Sequence, residues 1–375
     1  MKHNVLLSIF LVAGLAGVGA QESQFDLSPA PRFWGVSVFS RYSLEPPAAN
    51  DVETSIIAGL SAAYETVGYY RTPNGSLFTD GDAGFTTDNT PYSRTDLWWQ
   101  IGLQQGILPR TDLPEDQAVA FAYYRGRYDL PVRDDQQLYF SSGLPEVDGG
   151  LLGSVHAGLA YSNVTEGDAT GAKRGVQAEL VLGWGPSFLH NQILGSANFT
   201  RTTLSGRGFI PLYERTPDGE RNWFSSYLAI FGAVDWATGP DVPMAVRSTI
   251  GTRSERPGTG GSVRGYESGR FDATLKAVGN VEIRANLPSI MLPGKLPVLI
   301  PGFLIYTDAG YYNDLDGFSP TAGDQSGTLL SSGAGVYLDI RGVAQFIFYT
   351  NYLWQPTRVD GTRWFPFSLG FGFHY

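Results

Sequence analysis

The sequence predicts an all-β fold, a transmembrane antiparallel β-barrel of sixteen strands, on three observations. Its 375 residues include 47 Gly, 20 Tyr, 22 Phe and 8 Trp, no Cys, and only 17% charged residues, a balance that suits one large barrel. Many segments alternate with period two. In the clearest, Leu275, Ala277, Gly279, Val281, Ile283, Ala285 and Leu287 share one face, and Lys276, Asn280, Glu282, Arg284 and Asn286 the other. An apolar face on one side and charges on the other fit lipid outside and a wet lumen inside. Finally, the chain opens like a secreted protein, and no later stretch offers the ~18 unbroken apolar residues of a membrane helix.

Residues 1–20 read as a signal peptide. Lys2 is the positive start, Val5 to Leu15 the apolar core and Val18-Gly19-Ala20 the small-residue cleavage site. Cleavage after Ala20 removes Lys2 and takes the formal charge from −10 to −11. Residues 21–32 read as a short, polar, Pro-containing periplasmic lead-in, and the barrel occupies 33–375. A strand at 33–42 comes first. The span 52–71 reads either as one long strand or, the favoured reading, as a hairpin turning near Ser61 to Glu65, followed by an exposed loop at 72–91 rich in Gly, Asp, Thr, Asn and Pro.

Leu97, Trp99, Ile101 and Leu103 alternate with Trp98, Gln100, Gly102 and Gln104 up to Leu108-Pro109. Strands follow at 118–128, weakly at 137–141, at 155–161 through Val155, Ala157, Leu159 and Tyr161, and at 176–184. In the last, Val176, Ala178, Leu180, Leu182 and Trp184 oppose Gln177, Glu179, Val181 and Gly183. A strand at 193–204, a polar loop at 205–221, a return at 224–236 and a strand at 244–252 lead to a glycine-rich loop. Five strands follow it, at 274–287, 298–311, 329–339, 343–354 and 364–375. Sixteen strands put the long segments near 73–92, 206–222 and 253–272 at the same, outer end, whereas fourteen would turn the first of them inward.

The loop carries Val263-Arg264-Gly265-Tyr266, the next strand Asn280-Val281-Glu282-Ile283-Arg284, and the one after it Tyr306-Thr307-Asp308-Ala309-Gly310. In this order and spacing the set resembles the signature of the BamA/TamA outer-membrane barrel superfamily, the bacterial surface antigens, over residues 255–375. The resemblance implies a lid loop at about 253–272 folded into the lumen, its Arg264 meeting Glu282 and Asp308 on the inner wall, with five strands after it. It also implies help in translocating or inserting a macromolecule, protein or lipid. The lead-in is too short for the periplasmic POTRA modules usual in that family, so cargo is expected either from a separate periplasmic chaperone or delivery protein or directly at the barrel mouth.

Alternation independently points Glu282 and Asp308 inward. A guanidinium brought beside them has five donors to satisfy and needs carboxylates there. Gly265 would permit close backbone approach and Tyr266 an aromatic contact with the wall. In the last strand Phe365, Phe367, Leu369, Phe371, Phe373 and Tyr375 share one face. Its aromatic end, Phe371, Phe373 and Tyr375, resembles the signal read by barrel assembly machinery. The outer-membrane lipid is the partner of the apolar face.

An acidic balance excludes nucleic acid as a partner, and the absence of Cys excludes disulfides and thiolate metal sites. No paired-His zinc motif occurs, and Pro257-Gly258-Thr259-Gly260-Gly261 lacks the Gly-Lys-Ser/Thr ending of a phosphate loop. His3 leaves with the signal, and His156, His190 and His374 are scattered with no nucleophile beside them. No catalytic residue, metal or cofactor is therefore expected. The alternative to an insertion role is a passive or structural channel, for which inward Gln100, Gln177, Glu179, Lys276 and Arg284 suit a wet lumen.

Overall fold

The computed structural model of the chain describes residues 22–30, 33–44, 52–70, 86, 88–109, 117–142, 145–166, 171–189, 191, 197–215, 224–290, 299–314, 326–340, 344–355 and 363–371. Among them the strands are β1 (Glu22–Ala30), β2 (Phe33–Ser43), β3 (Thr54–Gly68), β4 (Pro91–Leu108), β5 (Ala118–Pro131), β6 (Gly150–Ser162), β7 (Thr165–Glu166), β8 (Lys173–Gly185), β9 (Asn198–Arg215) and β10 (Phe224–Asp241). The two-residue strands β11 (Thr249–Ile250) and β12 (Arg256–Pro257) come next, followed by β13 (Leu275–Asn286), β14 (Leu299–Asn313), β15 (Ser326–Ile340), β16 (Ala344–Leu353) and β17 (Trp364–Phe371). Fourteen strands pair antiparallel in chain order in one sheet, with β7 joined to β8; β11 and β12 pair only with each other.

The alternation of the sequence becomes two unlike faces. Ile101, Leu103, Leu159, Leu182, Trp184, Phe303 and Ile305 are exposed, while Gln100, His156, Glu179, Lys276, Glu282, Arg284 and Asp308 are buried. A water-soluble protein does the reverse. An apolar face this extensive needs an apolar surrounding.

The sheet curls around the connection between β10 and β13, residues 242–274. Gly265 packs on Asn351 and Leu353 of β16, and Gly269 on the Gly68 carbonyl of β3. Ten ladder steps separate those strands, ~48 Å along a flat sheet, yet four residues of chain reach at most ~14 Å. Only a curled sheet brings both walls to one short segment, and β1 and β17 come close to each other at its two ends.

Several expectations change. Residues 22–30 are not a lead-in but β1, paired along its whole length with β2. The span 54–68 is one strand, not a hairpin, because its register with β2 runs unbroken from Ser43 against Ser55 to Phe33 against Glu65. Leu138–Ser141 is a 3-10 turn, and 244–252 resolves into the helical turn Met244–Arg247 and the two-residue β11, off the main sheet. The polar stretch after 204 is no loop as far as Arg215. Leu204, Ile210 and Leu212 stay exposed there while Thr203, Ser205 and Phe209 stay buried, so the polarity belongs to the inner face and Gly206 and Gly208 merely interrupt the apolar one.

The described strands therefore number fourteen in the sheet rather than sixteen. Their antiparallel order puts the 69–90 and 242–274 connections at one end and 216–223 at the other. The expected grouping of 206–222 with the other two is overturned, because β1 and the loss of three expected strands reset the parity. The signal peptide, His190, Phe373, His374 and Tyr375 lie outside the described residues. Phe371 ends β17 opposite Phe346 of β16.

Candidate functional site

The 242–274 connection lies on the buried polar face and is built from short pieces. Pro243 stands extended before the helical turn Met244–Arg247, and Gly258 before the second turn, Thr259–Ser262. A Cβ at Gly310 of β14 would lie 2.6 Å from Thr259 Cγ2 and 2.8 Å from Val263 Cγ2. That glycine is the seat on which the second turn rests. Gly265 has φ 91°, a conformation that costs other residues free energy, and a Cβ there would meet Leu353 Cδ2 at 2.8 Å. The chain reverses there against β16.

Arg264 lies between these glycines and is buried. Its Nε donates to Asp308 Oδ2 and its Nη2 to Asp308 Oδ1, both at 2.7 Å, and its backbone N–H donates to Oδ2 at 3.1 Å. Its Nη1 donates to Glu282 Oε1. Glu282 Oε2 accepts from Arg284 Nε at 2.6 Å, and Arg284 Nη1 donates to Gln345 Oε1 at 3.2 Å. The Arg264 guanidinium stacks 3.4 Å from the centre of the Tyr306 ring. Two guanidiniums and two carboxylates thus balance in a water-poor place. A planar fork grips Asp308 through two nitrogens while a third reaches Glu282, a bidentate geometry that the single nitrogen of a lysine cannot reproduce.

The flanking motif residues complete this anchor. Val263 packs with Phe271, Tyr312, Leu329 and Leu353, and the Tyr266 hydroxyl donates to the Leu330 carbonyl at 3.0 Å.

Two further ion networks were not anticipated. On β10, Asp235 pairs with Arg201 Nε at 2.9 Å and Lys276 Nζ at 3.1 Å, and accepts from Thr203 Oγ1 and, at 2.8 Å, the Gly251 N–H of the connection. On the wall nearer β4, Arg253 donates to Glu179 through its backbone N–H at 2.8 Å and Nε at 2.6 Å, and to Gln104 at 3.1 Å. Glu255 faces Arg125, Arg127 and Arg201 at 3.2, 3.5 and 3.8 Å. Burial works against its charged form, but the three guanidiniums prevail and hold its carboxyl below the usual value. Glu179 was expected inward, and the same parity would have placed Arg125, Arg127, Arg201 and Asp235 there, a signal available in the sequence but not read from it. Their partners in the connection follow no spacing.

One expectation about the histidines is wrong. Ser154 Oγ lies 2.8 Å from His156 Nε2, because residues two apart on a strand share a face. His156 stacks on Tyr123, and its Nδ1 has no carboxylate partner among the described residues, so the third member of a triad is missing. Among the described residues no cluster of His, Asp and Glu is arranged to ligate a metal. What the site does chemically is fasten one connection to both walls.

Solved structures share this fold. The chain matches BamA from Haemophilus ducreyi lacking POTRA domains 1-3 with a TM-score of 0.53 and 11% identity, over 92% of this chain and 63% of that one. It matches CdiB from Escherichia coli with a TM-score of 0.50 and 14% identity, over 90% of this chain and 55% of that one. The chain thus spans less than two thirds of either, and the architecture it shares with them is a large antiparallel β-barrel. No family model and no curated protein sequence matches it.

Proposed function

We propose that this chain is a BamA-type barrel of the bacterial outer membrane whose 242–274 connection is a lid, and that it assists translocation or membrane insertion of a macromolecule, protein or lipid. The observation that carries the reading is the Arg264 fork on Asp308 and Glu282, which anchors the connection inside the curled sheet. The exposed apolar face supports a bilayer setting. Inner-face charges are matched to the connection, which favours a shut resting barrel over a steadily open passive channel.

In this reading residues 1–20 direct export and are removed, which N-terminal sequencing of the mature protein checks. Barrel assembly machinery inserts the chain, and a periplasmic chaperone or delivery protein brings cargo. The functional test is assisted folding of a second strand-rich protein into vesicles holding the purified barrel, wild type beside Arg264→Ala. Faster insertion that depends on Arg264 supports the reading. Vesicles no better than empty ones, together with a large constant conductance, would leave a passive channel.

A further inference from the structure

A small cavity lies between β5, β6, β9 and the connection, lined by Arg125, Arg127, Ser154, His156, Arg201 and Glu255. Three guanidiniums converge there from two strands, and among the described residues the one anion they share is the Glu255 carboxylate. Arg127 also pairs with Asp96 and Asp129, and Arg201 with Asp235. When Glu255 leaves, Arg127 keeps two carboxylates and Arg201 keeps Asp235, which it shares with Lys276. Arg125 differs: among the described residues its other partners are the neutral Gln100 side chain and the Arg253 carbonyl, so withdrawal of Glu255 leaves its guanidinium with no carboxylate partner there.

The carboxylate also under-uses the site. Its contacts lengthen from 3.2 to 3.8 Å around the cage. Arg125 Nε and His156 Nδ1 are buried with no hydrogen-bond partner among the described residues. A side chain at position 183 would reach within 3.0 Å of that imidazole edge, and glycine leaves it uncovered. Buried polar groups normally find partners, so these two mark unused capacity: Arg125 Nε is a donor, and His156 Nδ1 is one in the tautomer whose Nε2 accepts from the Ser154 hydroxyl. A planar carboxylate tethered by its own backbone offers two oxygens in one plane. A phosphate offers acceptors in several directions and suits guanidinium donors.

We infer that this cavity is a binding site for an oxyanion of the phosphate class, which the lid's own Glu255 occupies in the closed state. Binding and closure then compete for Arg125, so phosphate favours lid release and lid release favours phosphate. The site depends on movement of the connection, not on the insertion role. A phosphate group could come from solution or from a lipid headgroup.

The test uses the full-length barrel folded in detergent, titrated with inorganic phosphate and followed by phosphorus NMR and calorimetry. A parallel arm uses mixed micelles containing phosphatidylglycerol. Glu255→Gln is expected to bind at least tenfold tighter than wild type, which must first displace its own carboxylate. Adding Arg125→Gln or His156→Phe to Glu255→Gln removes most of that gain. His156→Phe keeps the ring against Tyr123 and decides the matter if the arginine variant does not fold. Saturation by inorganic phosphate identifies a soluble source, and saturation in the micelle arm alone a headgroup. No saturable binding in either arm, or a gain that survives both second substitutions, overturns the proposal.

Discussion

Arg264→Ala removes the guanidinium that holds two buried carboxylates, and the structure says where the damage falls. Glu282 keeps Arg284 at 2.6 Å, but among the described residues Asp308 has no cation other than Arg264. One carboxylate is therefore stranded. Loss of one partner of a buried pair costs ~3–5 kcal/mol, and opening the lid to let water reach Asp308 offsets part of it. The closed state should lose about 3 kcal/mol relative to the open one, a shift of roughly two orders of magnitude. Planar-bilayer conductance reads this directly: wild type closed or flickering, the variant open for most of the record. Arg264→Lys should fall between them, since an ammonium keeps the charge and loses the fork. Equal, large and steady conductance in wild type and Arg264→Ala would refute the reasoning.

Other outcomes follow from neighbouring residues. Gly265→Ala forces a side chain into φ 91° against Leu353. It should weaken seating of the connection by ~1–3 kcal/mol, read as roughly 5- to 150-fold faster protease cleavage in the 253–272 region; an unchanged rate would show that the tight reversal is not needed. Asp235→Ala leaves Arg201 only the longer carboxylate contact to Glu255 and Lys276 only backbone carbonyls among the described residues, and should lower the stability of the folded protein by ~3–5 kcal/mol; an unshifted urea midpoint would show that the network contributes nothing. Glu255 has a folded-state pKa below its ordinary 4.5, so its contribution is complete at neutral pH and is lost as pH falls below about 4.5 through the folded value. Wild-type lid opening should therefore rise on acidification over that window, with Glu255→Gln lacking this step; identical profiles would remove Glu255 from the closing mechanism.

How much of the site was readable can be judged residue by residue. Glu282 and Asp308 were assigned inward from period-two parity alone, and they lie buried with Val281 and Ile305 exposed beside them. Their meeting with Arg264 was implied only by a resemblance. Ser154 and His156 are also two apart on a readable strand, a pairing visible only when residues are compared along one strand face rather than as chain neighbours. Polarity misled after residue 204. Inner-face Ser205 and Arg207 beside Gly206 and Gly208 read as a loop, since a strand lining a polar interior carries the same residues as a turn. Position 244–252 misled in the other direction, its apolar residues packing inside the connection at Val246 and Ile250 rather than on the sheet.

The sequence by itself determined the class of architecture and the facing of almost every strand, because period-two alternation is local and a one-residue slip would turn every charge to the other face. It could not determine the strand count, since the low-polarity cues that separate strand from loop are weak in glycine-rich segments. Nor could it assign Arg253 to Glu179, Glu255 to the Arg125 cage or Gly269 to β3. Those partners are 74, 130 and about 200 residues apart in the chain, and only the curl of the sheet brings them together. Where unlike charges are buried far from water, their pairing is decided by which walls face each other, and that is a property of the curled sheet rather than of any stretch of chain.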